Sequence, residues 1–269
     1  MIRRWARTMA AAVLLCGAAG CATTNGGDPR DPIEGFNRAM FAFNEGFDEA
    51  IGKPIATAYR DVLPWQVRTW VRNFFANIAD LWIGANNLLQ GKPGDAVTDW
   101  ARFGFNTTLG LFGINDVASE MGIEKHDEDF GQTFGRWGAS DGAYIVWPFL
   151  GSSNVRDTVG FVFDWNLDPV RRHEPKDPRY FMIVLRALGK RADLLDASRI
   201  LEEAALDKYV FQRDAYLQRR RSLVHDGSPP RAARELPRAE APATAPEPRA
   251  FDAAVRLLEE PATPAVGGG

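Results

Sequence analysis

Cysteine, histidine and long apolar runs are what this chain has least of. Only Cys16 and Cys21 occur in 269 residues, the first inside a segment that reads as a leader and the second directly after it. Arg3, Arg4 and Arg7 precede an apolar run from Met9 to Ala19, and small residues lead up to Cys21. That order marks residues 1–20 as a secretory signal peptide, too short to span a bilayer. Cleavage removes Cys16, which excludes an intrachain disulfide, so an exported fold would rest on packing alone. The three histidines, His126, His173 and His225, are scattered. They lack the paired helical spacing of a metal centre, and no metal or cofactor is expected. His126 lies in Glu124-Lys-His-Asp-Glu-Asp129, which reads as a solvated helix start. After the leader, no apolar run approaches the ~18 residues of a spanning helix; the longest, Ala143 to Leu150, is interrupted by Pro148. A net positive charge is also missing. The leader takes three basic and no acidic residues with it, moving the net charge from −3 to −6. Nucleic-acid binding therefore has no electrostatic support.

Catalytic signatures are missing too. The chain has no P-loop and no dinucleotide fingerprint. Gly151-Ser-Ser-Asn154 lacks the G-x-S-x-G arrangement of a nucleophile elbow, so its serines read as helix caps. Nothing supplies a nucleophile, a base and an orienting group together, and the chain reads as a non-enzyme. Two further readings stay open, a membrane-anchored lipid hydrolase and a passive structural anchor.

What the chain has in abundance is glycine interleaved with aromatics. Gly104 to Asp164 holds ten glycines in 61 residues, with Phe130-Gly-Gln-Thr-Phe-Gly-Arg-Trp-Gly138 and Ala143-Tyr-Ile-Val-Trp-Pro-Phe-Leu-Gly151 as its densest parts. Glycine lets backbones touch, and aromatics cover what remains with apolar area. All seven tryptophans beyond the leader lie between Trp65 and Trp165. A protein lying partly in one leaflet has this composition, and so does a Trp-rich core.

Periodicity predicts an all-α fold in one domain over 31–227. Ile33, Phe36, Met40, Phe43, Phe47 and Ile51 make an amphipathic stripe, with Asp31 as its cap and Pro32 in its first turn. A long helix runs from Trp65 to Leu89, its apolar positions stepping round a 3.6-residue period while Asn73, Asn77, Asp80 and Asn87 take the other face. Gly91-Lys-Pro-Gly94 breaks it, and Asp95 caps a third helix to about Thr108. That helix is apolar round much of its circumference, so it is either central in a core or in contact with lipid. Asn115 or Asp116 caps a short helix to Met121, and Asp127 another into Phe134. Residues 142–151 read as a loop or short hairpin. Ser152 or Ser153 caps a helix through Trp165. Tyr180 to Val224 is helical nearly throughout, with a hinge near Gly189. There is no internal repeat.

Ala18-Ala19-Gly20-Cys21 resembles a bacterial lipobox, with Ala18 in place of the usual leucine, so Cys21 is the expected lipidation site. Ala22 follows it where an acidic residue would favour inner-membrane retention, which points to the outer membrane. Residues 21–30 form the lipidated tether. From Ser228 to Gly269 the composition turns to Pro, Ala, Arg and Glu and predicts a disordered tail. Within the tail, 251–260 places Phe251, Val255 and Leu258 on one face of a two-turn helix, a candidate docking element for a carrier. Arg219, Arg220 and Arg221 end the last helix, either as a solvated end or as contacts for phosphate headgroups.

Asp31-Pro-Ile-Glu-Gly-Phe-Asn-Arg-Ala-Met40 with Phe43-Asn44, then Arg102 to Asp116, resemble the MlaA (VacJ) lipoproteins. So do Phe130 to Gly138, Pro148 to Ser153 with Val155-Arg-Asp157, and Arg213 to Arg221. The resemblance covers about Asp31 to Gly227 in order. It implies a ring-like, all-helical protein in the inner leaflet of the outer membrane, on its periplasmic side. Such a protein would remove phospholipid from the outer leaflet and pass it to a periplasmic carrier, MlaC. It would associate with trimeric porins and use no cofactor. A gate or lipid path is then expected at Phe36, Asn37, Phe43 and Asn44 on the first helix and Tyr144, Trp147 and Phe149 in the following loop. Packing and capping are the alternative role for the same residues.

Overall fold

Polarity in this fold is turned inside out. The computed structural model describes residues 28–230, the side chains of 200–204 excepted. The leader, Cys21, the tether as far as 27 and the 251–260 island lie outside them. Asn77, Asp80, Asn86, Asn87, Asp99 and Arg102 are all at most 3% exposed, while Trp65, Val97, Leu109 and Phe112 are more than 60% exposed. Water-soluble folds bury the second set and solvate the first.

The elements are α1 (Glu34–Phe47), followed without a break by a π-helical turn (Asp48–Gly52) and α2 (Lys53–Val62). Next come α3 (Trp65–Leu89), α4 (Pro93–Thr108), α5 (Val117–Glu120) and α6 (Phe130–Arg136). The hairpin β1 (Tyr144–Trp147) and β2 (Gly151–Asn154) precedes α7 (Val155–Leu167), α8 (Pro169–Arg172), α9 (Lys176–Asp193), α10 (Leu195–Ala204) and α11 (Lys208–Val224). The all-α expectation holds, with one two-stranded antiparallel sheet pairing Tyr144 with Asn154 and Trp147 with Gly151. No helix among the described residues is long and apolar enough to cross a membrane.

The contacts close a circuit. β1 packs on α1, α1 leads through the π turn to α2, and α2 packs on α9. From there α9 meets α3, α3 meets α6, α6 meets α11, and α11 returns to β2. Glycines set the closest approaches. A Cβ on Gly160 of α7 would lie 2.4 Å from the Gly131 nitrogen of α6, and one on Gly84 of α3 would lie 2.5 Å from the Trp100 indole nitrogen of α4.

Several caps differ from the sequence expectation. Asp116 does cap α5, accepting from the Ser119 amide. At α6 the cap is Asp129, not Asp127, and at α7 it is Asn154, the last residue of β2, whose side chain accepts from the Asp157 amide. Lys92 occupies the cap position of α4, with Asp95 in its first turn. Asp31 caps nothing: α1 begins at Glu34, and Asp31 is fully buried. Gly189 is no hinge, since α9 runs through it and ends at Asp193.

The long α3 carries the largest correction. Its Asn77, Asp80, Asn86 and Asn87 are buried, whereas Trp70, Leu81, Leu88 and Leu89 are exposed. The polar side chains find partners inside. Asn87 donates to Asp99 at 2.8 Å, Asn77 to Thr107 at 2.9 Å, and the hydroxyl of Thr133 to Asn86 at 2.7 Å. Lys125 pairs with Asp80, and Arg102 pairs with Asp116 at 2.8 Å. Buried polar groups survive only when bonded in this way.

Candidate functional site

The expected gate residues meet at the hairpin, where α1 acts as a third strand. A two-stranded sheet leaves an outer edge of unpaired backbone groups. Two amides of α1, seven residues apart, cover that edge. Asn37 Nδ2 donates to the Tyr144 carbonyl at 2.9 Å, and the Val146 N–H donates to Asn37 Oδ1 at 2.8 Å. Two helical turns on, Asn44 Nδ2 donates to the Trp147 carbonyl at 2.9 Å, and the Phe149 N–H donates to Asn44 Oδ1 at 2.7 Å. The Tyr144 N–H donates to the Arg30 carbonyl at 2.8 Å. A buried polar cluster backs the clasp. Asp31 accepts from Asn37 Nδ2 at 2.7 Å, from the Tyr209 hydroxyl, and from Arg213 at 3.4 Å. Burial, with the Asp31 carboxylate beside it, pushes the Tyr209 hydroxyl far above its ordinary range.

The tip of the hairpin is apolar and outward. Phe149 stands at φ 62° and is 66% exposed, with Phe43 and Phe47 packed edge-on against it at 5.2 and 5.0 Å. Phe36 is half-buried on the same helix. Tyr144 is fully buried, its hydroxyl 2.7 Å from that of Ser152. Trp147 donates from its indole to Thr158 at 2.9 Å. The structure thus joins six of the seven candidates, all but Phe36, in one clasp. Neither amide is free for a headgroup while the clasp is closed.

Beside the hairpin lies a cavity of about 270 Å³ between β2, α7 and α11. Trp147, Leu150, Phe161 and Val162 make its apolar part, and Ser153, Asp157, Tyr216 and Arg220 its polar part. Its serines meet amides and hydroxyls: Ser152 accepts from Gln212 at 2.9 Å, and Ser153 lies 3.0 Å from the Thr158 hydroxyl. Among the described residues, His126 bonds Asp99 at 2.9 Å, far from these serines in the chain, and no group of three or more acidic, cysteine or histidine residues could hold a metal ion.

Arg220 corrects the headgroup expectation. It is 8% exposed and donates to Asp129 at 2.6 and 2.8 Å and to Asp157 at 3.1 Å. Burial pushes the Asp129 carboxyl up, but Arg220 and the Gln132 amide more than offset this and hold it below its ordinary range. Arg219 and Arg221 are exposed, Arg219 lying 3.6 Å from Asp127. Consecutive helical residues point about 100° apart, so three arginines in a row cannot share one face.

Asp164 carries a testable charge. Burial pushes its carboxyl up to about 6, the hydrogen bonds from Trp82 and the Phe130 N–H pulling back and the Asp129 charge adding. The folded state therefore holds this proton more tightly than the unfolded one. Its contribution to stability falls as pH rises from the ordinary carboxylate value of 3.8 to about 6, and is flat above that. Asp164→Asn keeps an oxygen acceptor and removes the titration. The difference in melting temperature between variant and wild type should grow in the variant's favour from pH 4.5 to 7; a constant difference would contradict it.

The clasp makes a second prediction. Asn37→Ala strands buried backbone groups, each worth roughly 1–3 kcal/mol, and should lower the unfolding midpoint markedly. Asn44→Ala opens only the exposed tip, so it should lower the midpoint far less. Equal loss of stability in both would contradict the difference in burial.

Comparison with known proteins decides the family. The MlaA lipoprotein family model matches residues 29–223. A Shigella flexneri protein, "Intermembrane phospholipid transport system lipoprotein MlaA", is 35% identical over 218 residues, covering 80% of this chain and 86% of its own. The Escherichia coli K12 protein of the same name is 34% identical over the same length, with the same coverage. The chain belongs to the MlaA lipoprotein family. A solved structure described as "Structural basis for maintenance of bacterial outer membrane lipid asymmetry" aligns with a TM-score of 0.65 at 32% identity. That alignment covers 72% of this chain and 98% of the other. The MlaA match begins before α1 and ends within the last turn of α11, so it takes in the clasp and the cavity together.

Sequence reasoning missed the ion-pair network that unites these motifs. Asp157 and Arg220 lie in two separate family motifs, Asp129 directly precedes a third, and Asp31 and Arg213 lie in two. Their only visible signal was charge set inside Gly-rich or aromatic segments, where solvated residues are out of place.

Proposed function

We propose that this protein moves phospholipid without chemistry, taking it from the outer leaflet of the outer membrane and passing it to a periplasmic carrier of the MlaC type. One observation carries the proposal: large apolar side chains cover the outside while carboxylates, amides and guanidinium groups are sequestered within. A protein seated in a leaflet needs an apolar exterior, and a path for headgroups needs polar groups inside. The relatives' names supply the substrate. The lipid anchor at Cys21, the periplasmic-side location, trimeric porins as neighbours and carrier capture by Phe251, Val255 and Leu258 belong to the same proposal. So does a gate formed by the α1–hairpin clasp.

Deleting the gene should expose phospholipid on the cell surface, and the intact gene should reverse this. An unchanged surface would favour the passive-anchor reading, and fatty acid released from labelled phospholipid by purified protein would favour the hydrolase. Cys21→Ser should leave the protein uncleaved or mislocalised, because stable anchoring takes several acyl chains or a chain plus apolar contact. Normal processing, location and activity of that variant would count against acylation. Truncation after Gly227 should weaken carrier binding and leave location intact; unchanged affinity would free the tail of this role.

A further inference from the structure

A second and larger cavity lies away from the hairpin. It measures about 500 Å³ and is enclosed by α2, α3, α9 and the segment Lys125–Asp127. Its floor is apolar, made by Val71, Phe75 and Ile83 of α3. Its remaining wall carries five cationic side chains against two carboxylates.

Three of the cations are committed. Lys125 pairs with the buried Asp80, Arg186 with Asp168, and Arg72 lies 3.8 Å from Asp193. Arg68 and Lys190 have no hydrogen-bond or ion-pair partner for their side chains among the described residues. The other lining carboxylate, Asp127, faces Arg219 at 3.6 Å. The free charge of the cavity is therefore positive.

Two donors also stand idle there. The Tyr59 hydroxyl and Arg68 Nε are buried and bond to no group among the described residues. A buried unsatisfied donor costs roughly 1–3 kcal/mol, so two on one cavity wall need an explanation. Gly189 leaves room beside the hydroxyl: a Cβ there would reach it at 3.8 Å. Around the same elements the surface is apolar, with Trp65, Phe181 and Val184 each more than half exposed.

We propose that this cavity is a binding site for the phosphodiester headgroup of an anionic phospholipid, with Arg68, Lys190 and the Tyr59 hydroxyl holding the phosphate and an acyl chain lying on the α3 floor. Phosphate oxygens satisfy the idle donors and the unpaired charges at once. A zwitterionic headgroup brings an ammonium into a cavity already positive, so monoanionic lipids are preferred. The inference deepens the transport reading and rests on it for the owner of the phosphate.

The test uses the full-length lipoprotein in a neutral detergent. Binding of dioctanoyl phosphatidylglycerol, dioctanoyl phosphatidylcholine, dioctanoylglycerol and inorganic phosphate is measured in parallel. Phosphatidylglycerol should bind about tenfold more tightly than each of the others, a gap of about 1.4 kcal/mol. Arg68→Gln with Lys190→Gln should abolish that preference without moving the melting temperature, because neither side chain has a partner to lose. Gly189→Leu should block the site by filling it. Equal affinity for the two phospholipids, or a double variant that keeps the preference, overturns the proposal. Inorganic phosphate binding as tightly as the lipid overturns its lipid assignment. Either failure leaves the transport reading intact if the deletion strain still accumulates surface phospholipid.

Discussion

Arg220→Met is expected to remove roughly 3–5 kcal/mol of stability, because it strands two partly or wholly buried carboxylates. Asp129 and Asp157 approach this one guanidinium from α6 and α7, and Tyr216 adds a hydrogen bond to Asp157 at 2.7 Å. Asn154 donates to the same carboxylate at 2.8 Å and accepts from the Asp157 amide at 2.7 Å, so the cap of α7 belongs to the network. Losing the cation therefore weakens the joint of α6, α7, α11 and the hairpin together. Arg219→Met is the control: its partner is exposed and 3.6 Å away, and exposed pairs contribute about 0–1 kcal/mol. Denaturant unfolding of the two variants should separate their midpoints widely. Adding Asp157→Asn to Arg220→Met should recover part of the loss. Coincident midpoints for the Arg219 and Arg220 variants would refute the keystone role.

Gly160→Ala should also destabilise, against the usual sign. In a helix interior, alanine is favoured over glycine by about 1 kcal/mol. At Gly160, however, the new methyl would lie 2.4 Å from the Gly131 nitrogen and 2.7 Å from its Cα. Those are backbone atoms, which cannot rotate away, so α6 and α7 must separate. Overpacking typically costs about 1–3 kcal/mol and sometimes more. The displaced pair also carries Asp129 and Asp157, so a shift between them pulls on Arg220 as well. Gly104 provides the contrast, since a Cβ there meets nothing within 4 Å. Gly104→Ala should raise the melting temperature slightly while Gly160→Ala lowers it. The same sign for both would show that crowding between the two helices is not decisive.

Much of this was legible in the sequence, for identifiable reasons. The 3.6-residue stripes gave α1, α3 and α4, because period and length survive whichever way a helix faces. The direction of facing did not survive. Asn77, Asp80 and Asn87 stood on the face opposite the apolar positions, and that face is buried, since amphipathicity reports a division between faces and not which one meets water. The hairpin was open to either reading until Pro148 proved to sit in its turn. Caps were missed where an adjacent residue of the same chemistry was available, as with Asp127 and Asp129. Arg220 could have been separated from Arg219 and Arg221 by helix geometry alone. Its partners could not be named, because they lie 91 and 63 residues away along the chain. The family motifs take in Asn37, Asn44, Asp157 and Arg220, and the structure shows what these side chains hold together.

The α1–hairpin clasp works because two different rulers agree. Seven residues of helix advance about 10.5 Å, and the three residues from Tyr144 to Trp147 of a strand advance about 10 Å. Asn37 and Asn44 therefore arrive opposite the Tyr144 and Trp147 carbonyls with their amides on one side of the helix. An extra residue between them would shift the second amide along by about 1.5 Å and swing it about 100° away. Length between these two positions is thus as constrained as the residues themselves. The segment can exchange many of its side chains, but it cannot gain or lose one without unbuttoning the hairpin.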